Sequence, residues 1–152
     1  MRLLFPGSFD PFTVGHADLV ERALAVADSI VIGIGVNTAK KPMFPVQDRL
    51  ERISRYYSSE PRVEVMQYDG LTMDFAHRVG ADAILRGVRS QSDFENETLL
   101  ADVNLKTGGT DTLLLVARAE FQHVSSSIVR ELSAFGHSVD DMVISTFKSD
   151  AK

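Results

Sequence analysis

The chain has 152 residues, of which 44% are hydrophobic and 24% charged, with no cysteine and a formal charge of −5. That usage is globular and of a length for one domain, taken as residues 1–152. It excludes disulfide scaffolds, thiolate nucleophiles and cysteine-held metal, and its acidic balance argues against nucleic-acid or anionic-membrane binding by bulk charge.

In chain order, the opening MRLLFPGSFD is an apolar strand, Arg2 to Phe5, broken at Pro6. It is too short for a secretory core, and no later stretch approaches a membrane span, so a cytoplasmic protein is expected. A turn-rich loop, Pro6 to Gly15, leads to a helix from about His16, whose apolar face is marked by Val20, Ala23, Leu24 and Ala27. The run Ile30 to Val36 is β-branched without polar alternation, the mark of a strand buried on both faces in a parallel sheet. Pro45 suits the first turn of a second helix with Val46, Leu50, Ile53 and Tyr57 on its buried side. Then come strand Val63 to Gln67, helix Leu71 to Val79 ended by Gly80, and strand Ala83 to Leu85. A long helix, Ser92 to Lys106, is closed by Gly108 and Gly109 and followed by strand Thr112 to Val116. Two helices complete the pattern, Ser126 to Phe135 and one capped by Ser138 with Asp140 and Asp141 in its first turn. Residues from Lys148 to Lys152 are expected to fray. The fold class is therefore α/β, a doubly wound five-stranded parallel sheet whose ligands sit beyond the carboxyl ends of the strands.

Each loop after a strand should face that crevice. The first carries Gly7, Ser8, Phe9, Asp10, Thr13, Gly15 and His16 at a helix start, which suits anion binding; a plain tight turn is the competing reading. The second carries Lys40 and Lys41 with no acid between Asn37 and Pro45, which describes either a phosphate contact or a solvated pair. The fourth, Arg86, Gly87, Val88 and Arg89, suits bidentate phosphate capture, against an ion pair with Asp93 or Glu95. Glu97 on the next helix reads first as a salt-bridge partner of a nearby arginine. The fifth loop, Phe121, Gln122, His123 and Val124, precedes Ser125, Ser126 and Ser127, of which a helix cap explains one. Three hydroxyls over a helix start form a cradle for a polyphosphate. The four histidines have no metal-ligand spacing. Mg²⁺ needs few protein ligands and binds substrate phosphates, so as a cofactor it would leave almost no trace in the sequence.

The stretch PGSFDPFTVGH from Pro6 to His16 resembles the T-x-G-H variant of the nucleotidyltransferase phosphate-binding motif. KKPMF from Lys40, RGVR from Arg86, DFENE from Asp93 and VSSS from Val124 follow in order, and together they resemble the bacterial phosphopantetheine adenylyltransferase family across nearly the whole chain. Ser8 stands where many members have Thr, Val14 where Asn is common, and Phe121 where some have Trp. The resemblance implies a Rossmann-like nucleotidyltransferase fold, and adenylyl transfer from ATP to 4′-phosphopantetheine giving dephospho-coenzyme A and pyrophosphate. It implies phosphopantetheine contacts at Ser8, Lys40, Thr72 and Arg86. It implies ATP contacts at Ser8, Phe9, His16, Gly87, Val88, Arg89, Glu97, Phe121, Gln122, His123, Val124, Ser125, Ser126 and Ser127. His16 and Lys40 are the expected transition-state stabilisers in a direct in-line attack, which needs no general base because the nucleophile is already an anion. A homohexamer is also implied. Competing readings are a small nucleotidyltransferase with another acceptor, such as nicotinamide mononucleotide or glycerol phosphate, and a non-catalytic ATP sensor. A nucleic-acid module fits the acidic charge poorly.

Overall fold

The computed structural model describes residues 1–148. Its elements are β1 (Arg2–Gly7), α1 (Val14–Ala23), β2 (Ser29–Gly35), α2 (Val46–Tyr56), β3 (Val63–Tyr68), α3 (Thr72–Arg78), β4 (Ala83–Val88), α4 (Gln91–Gly108), β5 (Asp111–Val116) and α5 (Ser126–Ala134). All strand pairs are parallel and the sheet order is β3-β2-β1-β4-β5, the expected doubly wound sheet. The order reverses between β1 and β4, and crevices in such sheets open at that point.

Alternation along the central strands divides the core. Leu3, Phe5, Ile30, Ile32, Ile34 and Leu85 pack with Leu19, Val20, Ile53 and Val129 from α1, α2 and α5. Leu4, Val31 and Ile84 point the other way, onto Tyr68, Phe75 and Ala76. Between them on that second face Gly33 leaves no room for a side chain. A Cβ there would lie 2.7 Å from the Phe75 ring and 3.0 Å from Leu4. Gly33→Ala is expected to lower the unfolding free energy by about 1–3 kcal/mol, measured by urea titration, because the stacked Tyr68 and Phe75 rings must shift.

The structure differs from the sequence reading at three places. α1 starts two residues before His16, capped by Thr13. β4 runs through Arg86, Gly87 and Val88 rather than ending at Leu85, because these residues pair with Leu114, Leu115 and Val116 of β5. Among the described residues no α-helix follows Ser138: Val143 forms a bridge with Thr13, and a 3₁₀ turn, Ser145–Phe147, closes the described chain. Val139, Val143, Ile144 and Phe147 are all buried there, and Phe147 meets Phe44 edge-on at 5.1 Å. Burying those four side chains outweighs the weak capping preference of Ser138. The expected fraying beyond Lys148 lies outside the described residues. Among the described residues no helix is long and apolar enough to cross a membrane.

Candidate active site

A crevice of about 370 Å³ opens beyond β1 and β4, with the first loop as its floor. Four backbone carbonyls of that loop are held from three other elements, one from β4, one from α2 and two from α5. Arg86 Nη1 donates to Pro6 O at 2.9 Å, Arg49 Nη1 to Ser8 O, Arg130 Nη1 to Asp10 O at 2.8 Å, and Ser126 Oγ to Pro11 O at 2.8 Å. The buried Asp10 carboxylate accepts from the Met43 and Phe44 N–H groups, each at 2.8 Å, while Arg49 Nε donates to Phe44 O at 2.9 Å. Loops one and two are thereby tied together. Phe9 holds a left-handed backbone with φ of 48°, and its ring is fixed among Phe5, Phe12 and His16, with centroids 5.1 Å away in each case. Such a conformation is costly for a non-glycine residue and persists only where its surroundings over-determine it. A Cβ at Gly7 would come within 2.9 Å of the same ring, so the loop needs glycine there.

His16 is the third residue of α1 and completes a capping box with Thr13. The Thr13 N–H donates to His16 Nδ1 at 3.0 Å, and the His16 N–H donates to Thr13 Oγ1 at 3.3 Å. A nitrogen that accepts carries no proton, so the neutral ring bears its hydrogen on Nε2. Burial lowers the imidazole pKa to about 3, with the positive fields of Arg89 and Arg86 adding to it. The ring is therefore a neutral donor throughout the physiological range. Between pH 6.5 and about 3 the unfolded chain binds a proton here that the folded chain refuses, so this group makes stability fall as pH drops through that window. His16→Gln keeps a capping-box residue and removes the titration. Relative to the parent, it is expected to flatten the acid limb of the stability curve by up to about 1.4 kcal/mol per pH unit in urea titrations across pH 4–7.

Arg86 and Glu97 form a two-pronged ion pair, Nε to Oε2 at 2.8 Å and Nη2 to Oε1 at 2.7 Å. The salt bridge expected of Glu97 is thus made with Arg86, and of the pairings considered for this loop with Asp93 or Glu95 the structure has Arg89 with Asp93, at 3.5 Å. The three serines have three tasks. Ser125 caps α5 by accepting from the Ile128 N–H at 3.2 Å, Ser126 holds Pro11 O, and Ser127 Oγ accepts from Arg130 Nη2 at 3.2 Å. All three line the crevice.

The crevice brings together Ser8, Phe9, His16, Arg86, Gly87, Arg89, Glu97, Phe121, Val124 and the serines. Thr72 lies apart, in an adjoining hollow of about 270 Å³ that shares Ser8 and Arg86 with it, and its hydroxyl is 2.9 Å from that of Tyr68. Lys40 is exposed and does not line either space. Val88 is buried in β4 and is not part of the lining, and Gln122 and His123 are exposed outside it. Sequence reasoning missed Arg130 and Arg49. Arg130 had a usable signal, since it stands three residues after Ser127 on the same side of a helix start. Arg49 had none, because a buried arginine in an amphipathic helix looks like a surface one. No group of three or more metal-capable side chains occurs among the described residues, and Asp93 and Glu97 are both committed to arginine. These donors do not fit an ion held by protein alone.

Residues 4–132 match the cytidylyltransferase-like family. A phosphopantetheine adenylyltransferase of Porphyromonas gingivalis is 50% identical over 147 residues, covering 97% of this chain and 96% of that one. That of Phocaeicola vulgatus is 47% identical over 149 residues, covering 98% and 99%. In three dimensions, the bifunctional NMN adenylyltransferase/ADP ribose pyrophosphatase of Francisella tularensis superposes with a TM-score of 0.70 at 15% identity. The match covers 95% of this chain and 45% of that one. The same protein complexed with AMP and a Mn ion superposes at 0.67. These two establish the shared fold.

Proposed function

The chain belongs to the phosphopantetheine adenylyltransferase family of cytidylyltransferase-like proteins, and from that membership we propose that it transfers the adenylyl group of ATP to 4′-phosphopantetheine. The products are dephospho-coenzyme A and pyrophosphate, the penultimate step of coenzyme A synthesis. The observation that carries the reading is a neutral His16, its Nε2–H free to donate, set beside Arg86 and Arg89 at the floor of a crevice with a serine-lined helix start.

The acceptor phosphate is itself an anionic nucleophile, so the protein's task is to hold two anions in line and stabilise the charge that moves to pyrophosphate. In this reading the crevice-lining Ser8, Phe9, His16, Gly87, Arg89, Glu97, Phe121, Val124, Ser125, Ser126 and Ser127 serve ATP, and Val88, Gln122 and His123, which stand outside the lining, border them along the chain. Ser8, Lys40, Thr72 and Arg86 serve phosphopantetheine. The adjoining hollows support two ligands meeting at Ser8 and Arg86. His16 donates to the α-phosphate without giving up its proton. Arg130, unforeseen in the sequence, adds a cation beside Ser127. For Lys40 to join them, the loop Asn37 to Pro42 has to close over the crevice from its anchor at Met43 and Phe44. Mg²⁺ bound to the ATP phosphates would supply charge neutralisation on the triphosphate.

The single nucleotidyltransferase domain is proposed to act in the cytoplasm as a homohexamer. α4 supports assembly: none of its residues is buried, and Phe94, Leu99, Leu100 and Val103 are exposed. Light scattering is expected to give a particle of six chains.

The deciding measurement is pyrophosphate release from ATP and Mg²⁺ with 4′-phosphopantetheine, nicotinamide mononucleotide or no acceptor. Release with phosphopantetheine alone, and dephospho-coenzyme A as product, is expected. Release only with the mononucleotide would replace the acceptor, and ATP binding without release would make the chain a sensor.

A further inference from the structure

Three charged side chains are buried in the described chain: Asp10, Arg49 and Asp18. The first two organise the floor of the crevice, whereas Asp18 has no part in the chemistry outlined above. Its carboxylate is 6% exposed, accepts a hydrogen bond from Arg22 Nη1 at 3.2 Å and forms an ion pair with Arg118 Nη1 at 3.0 Å. Arg22 Nη1 also donates to Val116 O at 2.9 Å, at the end of β5. Arg118 precedes the 3₁₀ turn Ala119–Phe121, and its carbonyl accepts from the Phe121 N–H at 2.9 Å. The Phe121 carbonyl in turn accepts from the Val124 N–H at 3.0 Å.

One carboxylate on α1 therefore holds both the end of β5 and the first residue of the turn that carries Phe121. Ala117, Phe121 and Val124 line the crevice wall facing the start of α1, where His16 sits. Gly15 packs directly beneath: a Cβ there would be 3.7 Å from Phe121 Cβ and 4.0 Å from Val124 O. A buried acid between two cations is a rigid spacer, because leaving the buried carboxylate unpaired costs desolvation energy that a surface pair does not, while the more exposed arginines stay in contact with solvent.

We propose that Asp18 is a positioning residue for the nucleotide, fixing residues 117–125 at the spacing from His16 that the triphosphate and its base require. The proposal rests on the reading of this crevice as the ATP site. It locates the effect in binding of one substrate only, since neither Asp18 nor Arg118 lines the hollow at Thr72.

Two variants test it. Asp18→Asn removes the charge from the buried end, and Arg118→Met removes the partner at a position 54% exposed, where a substitution leaves the core packing in place. Each is expected to raise KM for ATP roughly tenfold, with kcat within about threefold and KM for phosphopantetheine unchanged. Arg118→Lys, which keeps a cation in reach, should recover most of the loss. The double variant should be no worse than the poorer single one, because both break the same contact. Unchanged KM for ATP in Arg118→Met, or equal increases for both substrates, would overturn the proposal. Amide hydrogen exchange in the complete protein separates this from the catalytic reading. Residues 117–125 should exchange faster in Asp18→Asn while β1 and β2 keep their protection. If exchange there is unaltered, the spacer role is wrong whatever the reaction. If exchange rises but the parent protein never releases pyrophosphate, the spacer stands and the assigned reaction falls.

Discussion

His16→Ala is expected to lower turnover by roughly 10²–10³, the loss seen when one preorganised donor to a developing oxyanion is removed. The donor is preorganised here by the fold itself. The Thr13 N–H occupies Nδ1, and the rings of Phe9 and Phe12 flank the imidazole at 5.1 Å, so the Nε2 hydrogen needs no tautomeric or rotameric adjustment when the triphosphate arrives. Because the ring's pKa is held near 3, its donor role does not titrate with the reaction's working pH. The acid limb of kcat, measured by pyrophosphate release from pH 5 to 9, is accordingly expected to be the same in parent and Ala variant once the overall loss is scaled out. KM for either substrate should change far less than kcat if the donor acts on charge that appears only in the transition state. The Ala variant also gives up the return half of the capping box, at a cost of about 1 kcal/mol, which thermal unfolding will register separately. A variant that keeps near-parental kcat would remove His16 from the mechanism.

Arg86→Ala is the second large effect, and it acts on both stability and substrate capture. Arg86 uses three N–H donors on Glu97 and Pro6 O, and a guanidinium has five, so two are left for a ligand. Glu97 is 13% exposed in its side chain. Removing the arginine strands that carboxylate and releases the first carbonyl of the crevice floor. A loss of about 3 kcal/mol is expected, the low end for a broken buried pair because Arg86 itself keeps contact with solvent. A charge-assisted bond to phosphate contributes about 1.5–3 kcal/mol, so kcat/KM for phosphopantetheine should fall by about 10- to 100-fold. Arg86→Lys keeps the charge without the fork and should be intermediate in both respects. Chemical denaturation and initial rates on the same preparations separate the two effects. If Arg86→Ala unfolds easily yet retains parental kcat/KM, the residue is structural only.

Glu97 illustrates how far local reading can go. Its place on the partly apolar side of a helix pointed to an arginine partner, and the structure supplies one, but the choice among Arg86 and its neighbours depended on where β4 ended. The sequence placed that end at Leu85, since a charged residue followed by glycine reads as loop. Pairing with β5 carries the strand three residues further and aims Arg86 at Pro6 O. Lys40 shows the converse. Its KKPMF setting marks it as functional by resemblance, yet an exposed loop has no packing partner to fix where its side chain sits, and here it lies outside the crevice.

Periodicity, with caps and glycine stops, determined the alternation of five strands and their helices, because a central strand buried on both faces must be apolar throughout, and a covering helix must be apolar on one side. The loops after those strands could then be named as the functional end, and Ser8, His16, Arg86, Arg89 and Ser125 to Ser127 all reach one crevice. Only the tertiary structure decided what long-range contacts control. It replaced the final helix by a buried strap against Phe44, turned Arg49 and Arg130 inward onto carbonyls of the first loop, and set Asp18 between two arginines. In each case the energy comes from a partner at least four residues away, and for all but the Asp18–Arg22 pair it comes from a distant element. A carbonyl or ring that is brought near only by folding leaves no pattern in its neighbours along the chain.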